Sequence, residues 1–232
     1  GIIINPNTGE ILAMATYPDF NPNTYQKSPI DHYKNRAISD AYEPGSTYKI
    51  INTAAALESG QISPLDIFHC ENGKYKLPRG EIIHDHEPHA ELSVTEIFMY
   101  SSNIGIMKMA EILGDNMIYD TSRKFGFGMN SGIHLPGETP GKLRVLKQWS
   151  GISGRMISIG QELSASTLQI AMAYCTIANG GFMVKPYIVN SVGDNDMFNN
   201  YPKVLRKIIS KKTSDEILSM LEKVVLSGTG NN

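Results

Sequence analysis

The chain has 232 residues, 41% of them hydrophobic and 19% charged, with a formal net charge of −2. That composition supports the core of one large domain or two small ones and excludes a disordered chain. No basic surplus points to nucleic acid, no charge run reads as a tail, and no apolar run approaches the roughly 20 residues of a membrane-spanning helix.

The sequence starts at Gly1 inside an apolar run, without an initiator Met or a leader pattern, and is expected to be a fragment of a longer protein. Its two cysteines, Cys70 and Cys175, allow at most one internal disulfide and match no metal-binding spacing, so they read as buried free thiols or a single bridge. Gly1–Ile4 and Ile11–Ala15 are apolar runs flanking Asn5-Pro6-Asn7-Thr8-Gly9, which predicts a hairpin of two buried strands. Tyr17–Asn23 reads as loop.

At Glu43-Pro44-Gly45-Ser46-Thr47-Tyr48-Lys49 the pattern changes. Pro44 and Gly45 break what precedes them, and Ile50, Ile51, Ala54, Ala55 and Leu57 predict a helix from Ser46 that stops at Gly60. Residues three apart share a helix face, so Ser46 and Lys49 would sit side by side on its first turn. Ser46 would serve as an ordinary helix cap and Lys49 as a surface lysine. A lysine there, however, faces the positive end of the helix dipole, where a capping box would place Glu or Gln. That field, with burial, would lower its pKa and leave part of it neutral. A neutral amine beside a hydroxyl activates that hydroxyl for attack on a carbonyl.

Residues 61–92 look irregular, with short strands around Lys74–Leu77 and Glu81–Ile83. His84-Asp85-His86-Glu87-Pro88-His89 holds three of the six histidines. Zinc is the sharper reading of that cluster. Pro88 prevents a regular helix that would give the side chains a common face, so a polar loop with partly exposed histidines is expected and no metal is assigned. Ser93-Val94-Thr95-Glu96 is a capping box opening a helix through Ile97, Phe98 and Met99. Ser101-Ser102-Asn103 then interrupts the apolar pattern before a second helix runs through Ile106, Met109, Ala110 and Leu113 to Gly114. Serine and asparagine compete for backbone hydrogen bonds, so this stretch is a polar turn between helices or a functional site.

A short strand is expected at Gly132–Leu135, between Phe125-Gly126-Phe127-Gly128 and Pro136-Gly137-Glu138. Neither glycine pair has a phosphate-loop context. Ile157–Ala178 reads as buried, with a helix from about Ser166 that Asn179-Gly180-Gly181 ends. Val184–Val192 is expected to be a strand and Asp194–Pro202 a loop. Thr213-Ser214-Asp215-Glu216 caps a last amphipathic helix with Ile217, Leu218, Leu221, Val224 and Val225 inward.

Ser46-x-x-Lys49 followed by Ser101-x-Asn103, each present once, resembles the penicillin-binding transpeptidase and serine β-lactamase superfamily. Asn5–Met14, Ser101-Ser102-Asn103-Ile104-Gly105, Phe125–Gly128, Leu135–Glu138, Ser158-Ile159-Gly160-Gln161 and Ala178–Gly181 resemble class B segments of division and sporulation type. The resemblance covers nearly the whole chain, 1–232, as one partial transpeptidase domain.

It implies an α+β fold: an antiparallel sheet packed with helices, a mostly helical subdomain and the active site between them. It implies Ser46 as acylated nucleophile, with its backbone N–H as half of an oxyanion hole, and Lys49 as general base. Ser101 would relay a proton to the leaving amine, and Asn103 would hold the substrate amide. It implies no cofactor. The implied partners are peptidoglycan stem peptides ending in D-Ala-D-Ala, β-lactam antibiotics and proteins of the division or elongation machinery. The implied location is the outer face of the bacterial cell membrane, with an N-terminal anchor. A third family motif, Lys-Thr/Ser-Gly, is not found in these residues, although Gly228-Thr229-Gly230 resembles the segment preceding it. The closing strands of the sheet are therefore expected to be missing here. A non-catalytic division scaffold and a β-lactam hydrolase or sensor are the competing functions on the same fold.

Overall fold

The computed structural model describes residues 1–77, 80–192, 198–199 and 202–231. An antiparallel hairpin of β1 (Ile2–Ile4) and β2 (Ile11–Met14) opens the chain, pairing Ile2 with Met14 and Ile3 with Ala13. The short helix α1 (Arg36–Ser39) leads to a 3-10 turn, Gly45–Tyr48, which runs directly into α2 (Lys49–Ser59). Every residue of α2 from Lys49 to Leu57 is buried, so this helix is the centre of the molecule. Ala54, Ala55 and Ala56 leave little side chain between it and its neighbours, which lets other helices pack closely around it. Gly60 ends it in the left-handed conformation, at φ 69°.

Two small ribbons follow. β3 (Ile67–His69) pairs with β6 (Glu91–Ser93), and β4 (Lys74–Lys76) pairs with β5 (Ile82–His84). The capping box of Ser93 and Glu96 forms as expected and opens α3 (Val94–Met99). Ser102 caps α4 (Asn103–Lys124), which is interrupted at Gly114, where φ is 74°. α4 packs on α2 and on α5 (Ser153–Ser158). Ser166 and Gln169 form a second capping box at the start of α6 (Thr167–Ala178).

β7 (Phe182–Val184) leaves α6 and, beyond β8 (Ser191–Val192) and β9 (Phe198–Asn199), pairs with β10 (Val204–Lys207). Ile11 N donates to Tyr187 O at 2.9 Å and Tyr187 N to Gly9 O at 3.0 Å, which ties the first hairpin to this ribbon. α6 packs beneath both, and α7 (Lys211–Ser227) packs on α2, α3 and α6. The result is the expected α+β arrangement. A large core joins the helices, and a smaller one formed by Ile11, Ile38, Ile133, Leu168, Met172 and Val184 lies under the hairpin. Both cysteines are buried free thiols. Among the described residues no helix is long and apolar enough to cross a membrane.

Several expectations need correction. The hairpin strands are not fully buried: Ile3 and Leu12 are each 59% exposed, because alternate residues of a strand face opposite sides and the described residues cover one side only. Gly132–Leu135 is not a strand, since His134 takes φ 61° and breaks the extended backbone. The strand expected over Val184–Val192 ends at Val184, two residues before Pro186, which has no N–H for a ladder. β3, β6 and α5 were not anticipated. α7 begins two residues before Thr213, at Lys211 with Ser210 as cap, and Leu218 and Val225 face outward. The loop expected at Asp194–Pro202 lies largely outside the described residues.

Candidate active site

The helix expected from Ser46 is first a 3-10 turn, and α-helical geometry begins at Lys49. No side-chain cap hydrogen bond closes either helix start, so Ser46 is not acting as a cap. It occupies the second position of the turn, where a backbone N–H has no intrahelical partner. Its side chain is exposed, and among the described residues its hydroxyl makes no hydrogen bond.

The turn is fastened at three points: Gly45 N donates to Gly160 O at 3.0 Å, Thr47 Oγ1 to Pro44 O at 2.8 Å and Tyr174 Oη to Thr47 O at 3.1 Å. At Gly160, where φ is 80°, a Cβ would fall 2.1 Å from Gly45 O. The Ser158–Gln161 segment is therefore the floor beneath Ser46, and it requires glycine for both conformation and space.

Lys49 points into the protein and is only 2% exposed. Its Nζ donates to Ser101 O at 2.5 Å and to Ser101 Oγ at 2.9 Å. Burial pushes its pKa down from 10.5 to about 8, and the charge of Asp85 opposes that fall. The direction matches the sequence argument, and loss of solvation is its cause. At pH 7 about a tenth of such an amine is neutral.

Ser101 stands in the turn between α3 and α4 at φ 55°, left-handed backbone that non-glycine residues seldom adopt. The polar break in the helical pattern is thus both a junction between helices and a strained site. Asn103 opens α4. Its Nδ2 donates to His84 O at 2.9 Å, and its side-chain carbonyl has no hydrogen bond among the described residues.

The structure therefore brings Lys49, Ser101 and Asn103 together around one turn. Ser46 joins them through its place one turn before Lys49, without a hydrogen bond to either residue. Such contacts often tighten only when substrate is present.

Asp85 is the residue that sequence reasoning missed. It accepts from Ser102 Oγ at 2.5 Å, Asn103 N at 2.6 Å and Ile104 N at 3.0 Å. The neighbouring histidines drew attention to metal chemistry, whereas the aspartate holds the start of a helix. Its only sequence signal was a carboxylate in an otherwise irregular segment. Of those histidines, His89 stacks on Tyr100 with ring centroids 4.8 Å apart, and His84 contributes its backbone carbonyl.

A buried lysine hydrogen-bonded to a serine in left-handed backbone, one turn after an exposed serine hydroxyl, is an arrangement suited to acyl transfer. The chain belongs to the penicillin binding protein transpeptidase domain family, whose model matches residues 1–232. It is 31% identical over its whole length to a peptidoglycan D,D-transpeptidase FtsI homolog of Mesostigma viride, covering 43% of that protein. It is 33% identical to stage V sporulation protein D of Bacillus subtilis, again over the whole chain and covering 37% of that protein. Penicillin binding protein 3 of Mycobacterium tuberculosis, solved with aztreonam, superposes with a TM-score of 0.90 at 32% identity over 99% of this chain and 54% of its own. The chain thus spans less than half the length of these curated relatives.

Proposed function

We propose that this chain is part of the catalytic domain of a peptidoglycan D,D-transpeptidase of the division or sporulation type. The observation that supports it most is the placement of a buried, partly neutral Lys49 on Ser101, one turn after an exposed Ser46. Ser46 Oγ attacks the carbonyl carbon of the terminal D-Ala-D-Ala bond, and Lys49 takes the hydroxyl proton. The Ser46 N–H stabilises the oxyanion, a contribution worth several kcal/mol in such sites. The C–N bond breaks as the proton passes through Ser101 to the leaving D-Ala amine. An amine of a neighbouring stem then attacks the ester, its proton returns to the Ser46 oxygen through the same groups, and a cross-link forms. Asn103 holds the donor peptide by its free carbonyl.

The substrate places the reaction on the outer face of the cell membrane, among division or elongation proteins. β-Lactams fit the same site: a related structure holds ampicillin at 30% identity and a TM-score of 0.85.

Labelling the full-length gene product with a fluorescent penicillin tests the proposal. A long-lived adduct is expected on the Ser46 peptide by mass spectrometry, and Ser46→Ala should abolish it. No adduct would leave the scaffold reading, and rapid deacylation would leave the hydrolase reading. Reading the coding sequence past Asn232 for Lys-Thr-Gly or Lys-Ser-Gly is an independent check.

A further inference from the structure

Asp85 stands immediately after β5, and its carboxylate receives three hydrogen bonds from three successive residues, Ser102, Asn103 and Ile104. His84 adds a fourth contact through its carbonyl to Asn103 Nδ2. This end of β5 is itself anchored: His84 pairs with Lys74 on β4, and Asp85 N donates to Gly73 O at 3.1 Å. Ser102 Oγ accepts from Gly105 N at 2.9 Å, and the carboxylate takes the two N–H groups before it, so the cap of α4 is shared between the helix and the β4–β5 ribbon. The residue just before this fastened turn is Ser101, held at φ 55° with both oxygens on Lys49.

We propose that Asp85 is a positioning residue: it clamps the first turn of α4 to the β4–β5 ribbon and so keeps Ser101 in its strained conformation against Lys49. The proposal rests on the acyl-transfer reading of the site. A free serine at this backbone conformation would relax to a commoner one and carry its hydroxyl off the amine. The carboxylate also acts through space, since among the described residues its charge is the one that acts on Lys49 and opposes the effect of burial. His84 and His86 flank Asp85 in the chain, and the Cys70 thiol feels its charge together with those of Lys108 and Glu71, which pair at 2.6 Å. Asp85 therefore has two separable effects, one on geometry and one on the protonation of the base.

The test uses full-length protein carrying Asp85→Asn or Asp85→Glu, with fluorescent penicillin as probe. Acylation rates are measured against pH, and the Lys49 amine is titrated by NMR after reductive methylation of the lysines. Asp85→Asn should slow acylation by about 10–100-fold at its optimum, the size expected when a reacting group is misplaced by about an ångström. Its acid limb and its Lys49 titration should both move to lower pH, because the charge that favoured the ammonium is gone. Asp85→Glu should restore the limb without restoring the full rate. A folded Asp85→Asn protein with wild-type rate and limb overturns the proposal. So does a slower rate with an unmoved limb and titration, which marks a purely structural role. Wild-type protein that takes no label overturns the acyl-transfer reading instead. The Lys49 titration then still decides the charge effect of Asp85, and no shift in Asp85→Asn counts against the proposal.

Discussion

Lys49 carries a cost that is visible in its titration. Its pKa is about 8 in the folded chain against 10.5 for a free lysine. Below pH 8 both states are protonated and the folded state bears the full penalty of a buried ammonium, about 3 kcal/mol. Between pH 8 and 10.5 the folded state releases its proton first, and the penalty fades. Lys49→Met should therefore abolish acylation yet gain its greatest relative stability at or below pH 7. That advantage should shrink on raising the pH to 10, as read by paired thermal melts. A difference that stays constant with pH would refute the assignment. For the wild-type enzyme, the acid limb of acylation should have its midpoint near pH 8, where Lys49 becomes neutral. The pairing of Ser46 with Lys49 was suggested by spacing along one helix, a local property, and the roles of Ser101 and Asn103 by the family resemblance. Asp85 was not, because it meets Ser102 across 17 residues of irregular chain and short strands, where no helical spacing brings them together.

Elements were readable where their signals were local. The capping box of Ser93 with Glu96 marks a real helix start and the helix expected from about Ser166 begins there, whereas Thr213, expected as a cap, lies inside α7. The three-residue strands β3 and β6 carry too little periodicity to be seen, and the 3-10 turn under Ser46 is set by its contact with Gly160 rather than by propensity. That contact can be broken. Gly160→Ala adds a methyl group 2.1 Å from Gly45 O at a positive φ. It should cost about 1–3 kcal/mol of stability and shift Ser46 enough to slow acylation, measured by urea melts and penicillin labelling. Gln169 offers a control away from the site. Its Nε2 lies 2.9 Å from both Met129 O and Pro140 O and 3.2 Å from Gly126 O, three carbonyls that share its two hydrogens. Gln169→Leu strands those carbonyls and should lose about 2–4 kcal/mol while the surviving folded protein keeps its acylation rate.

At the scale of the molecule, the resemblance led to the right architecture, and the helical core follows from ordinary apolar periodicity. The exposed surfaces were harder to foresee, since which strand face meets solvent depends on every neighbouring layer. Ile3 and Leu12 on the hairpin, with Leu218, Val225 and Leu226 on α7, are large apolar groups facing solvent. The 232-residue chain expressed alone should bind a hydrophobic dye and self-associate with concentration, while Leu12→Lys should reduce both, by fluorescence and light scattering. A strictly monomeric, dye-free chain would contradict this.

The two buried cysteines turn this molecule into its own clock. Cys70 is 0% and Cys175 8% exposed, and burial raises the pKa of both thiols, so neither should meet a maleimide while the fold is closed. Each modification event then records an opening. Cys70 lies beside Ser102, under the turn that Asp85 fastens, and Cys175 lies on α6. Timed alkylation followed by mass counting would show whether the α4 start and α6 open together or in sequence.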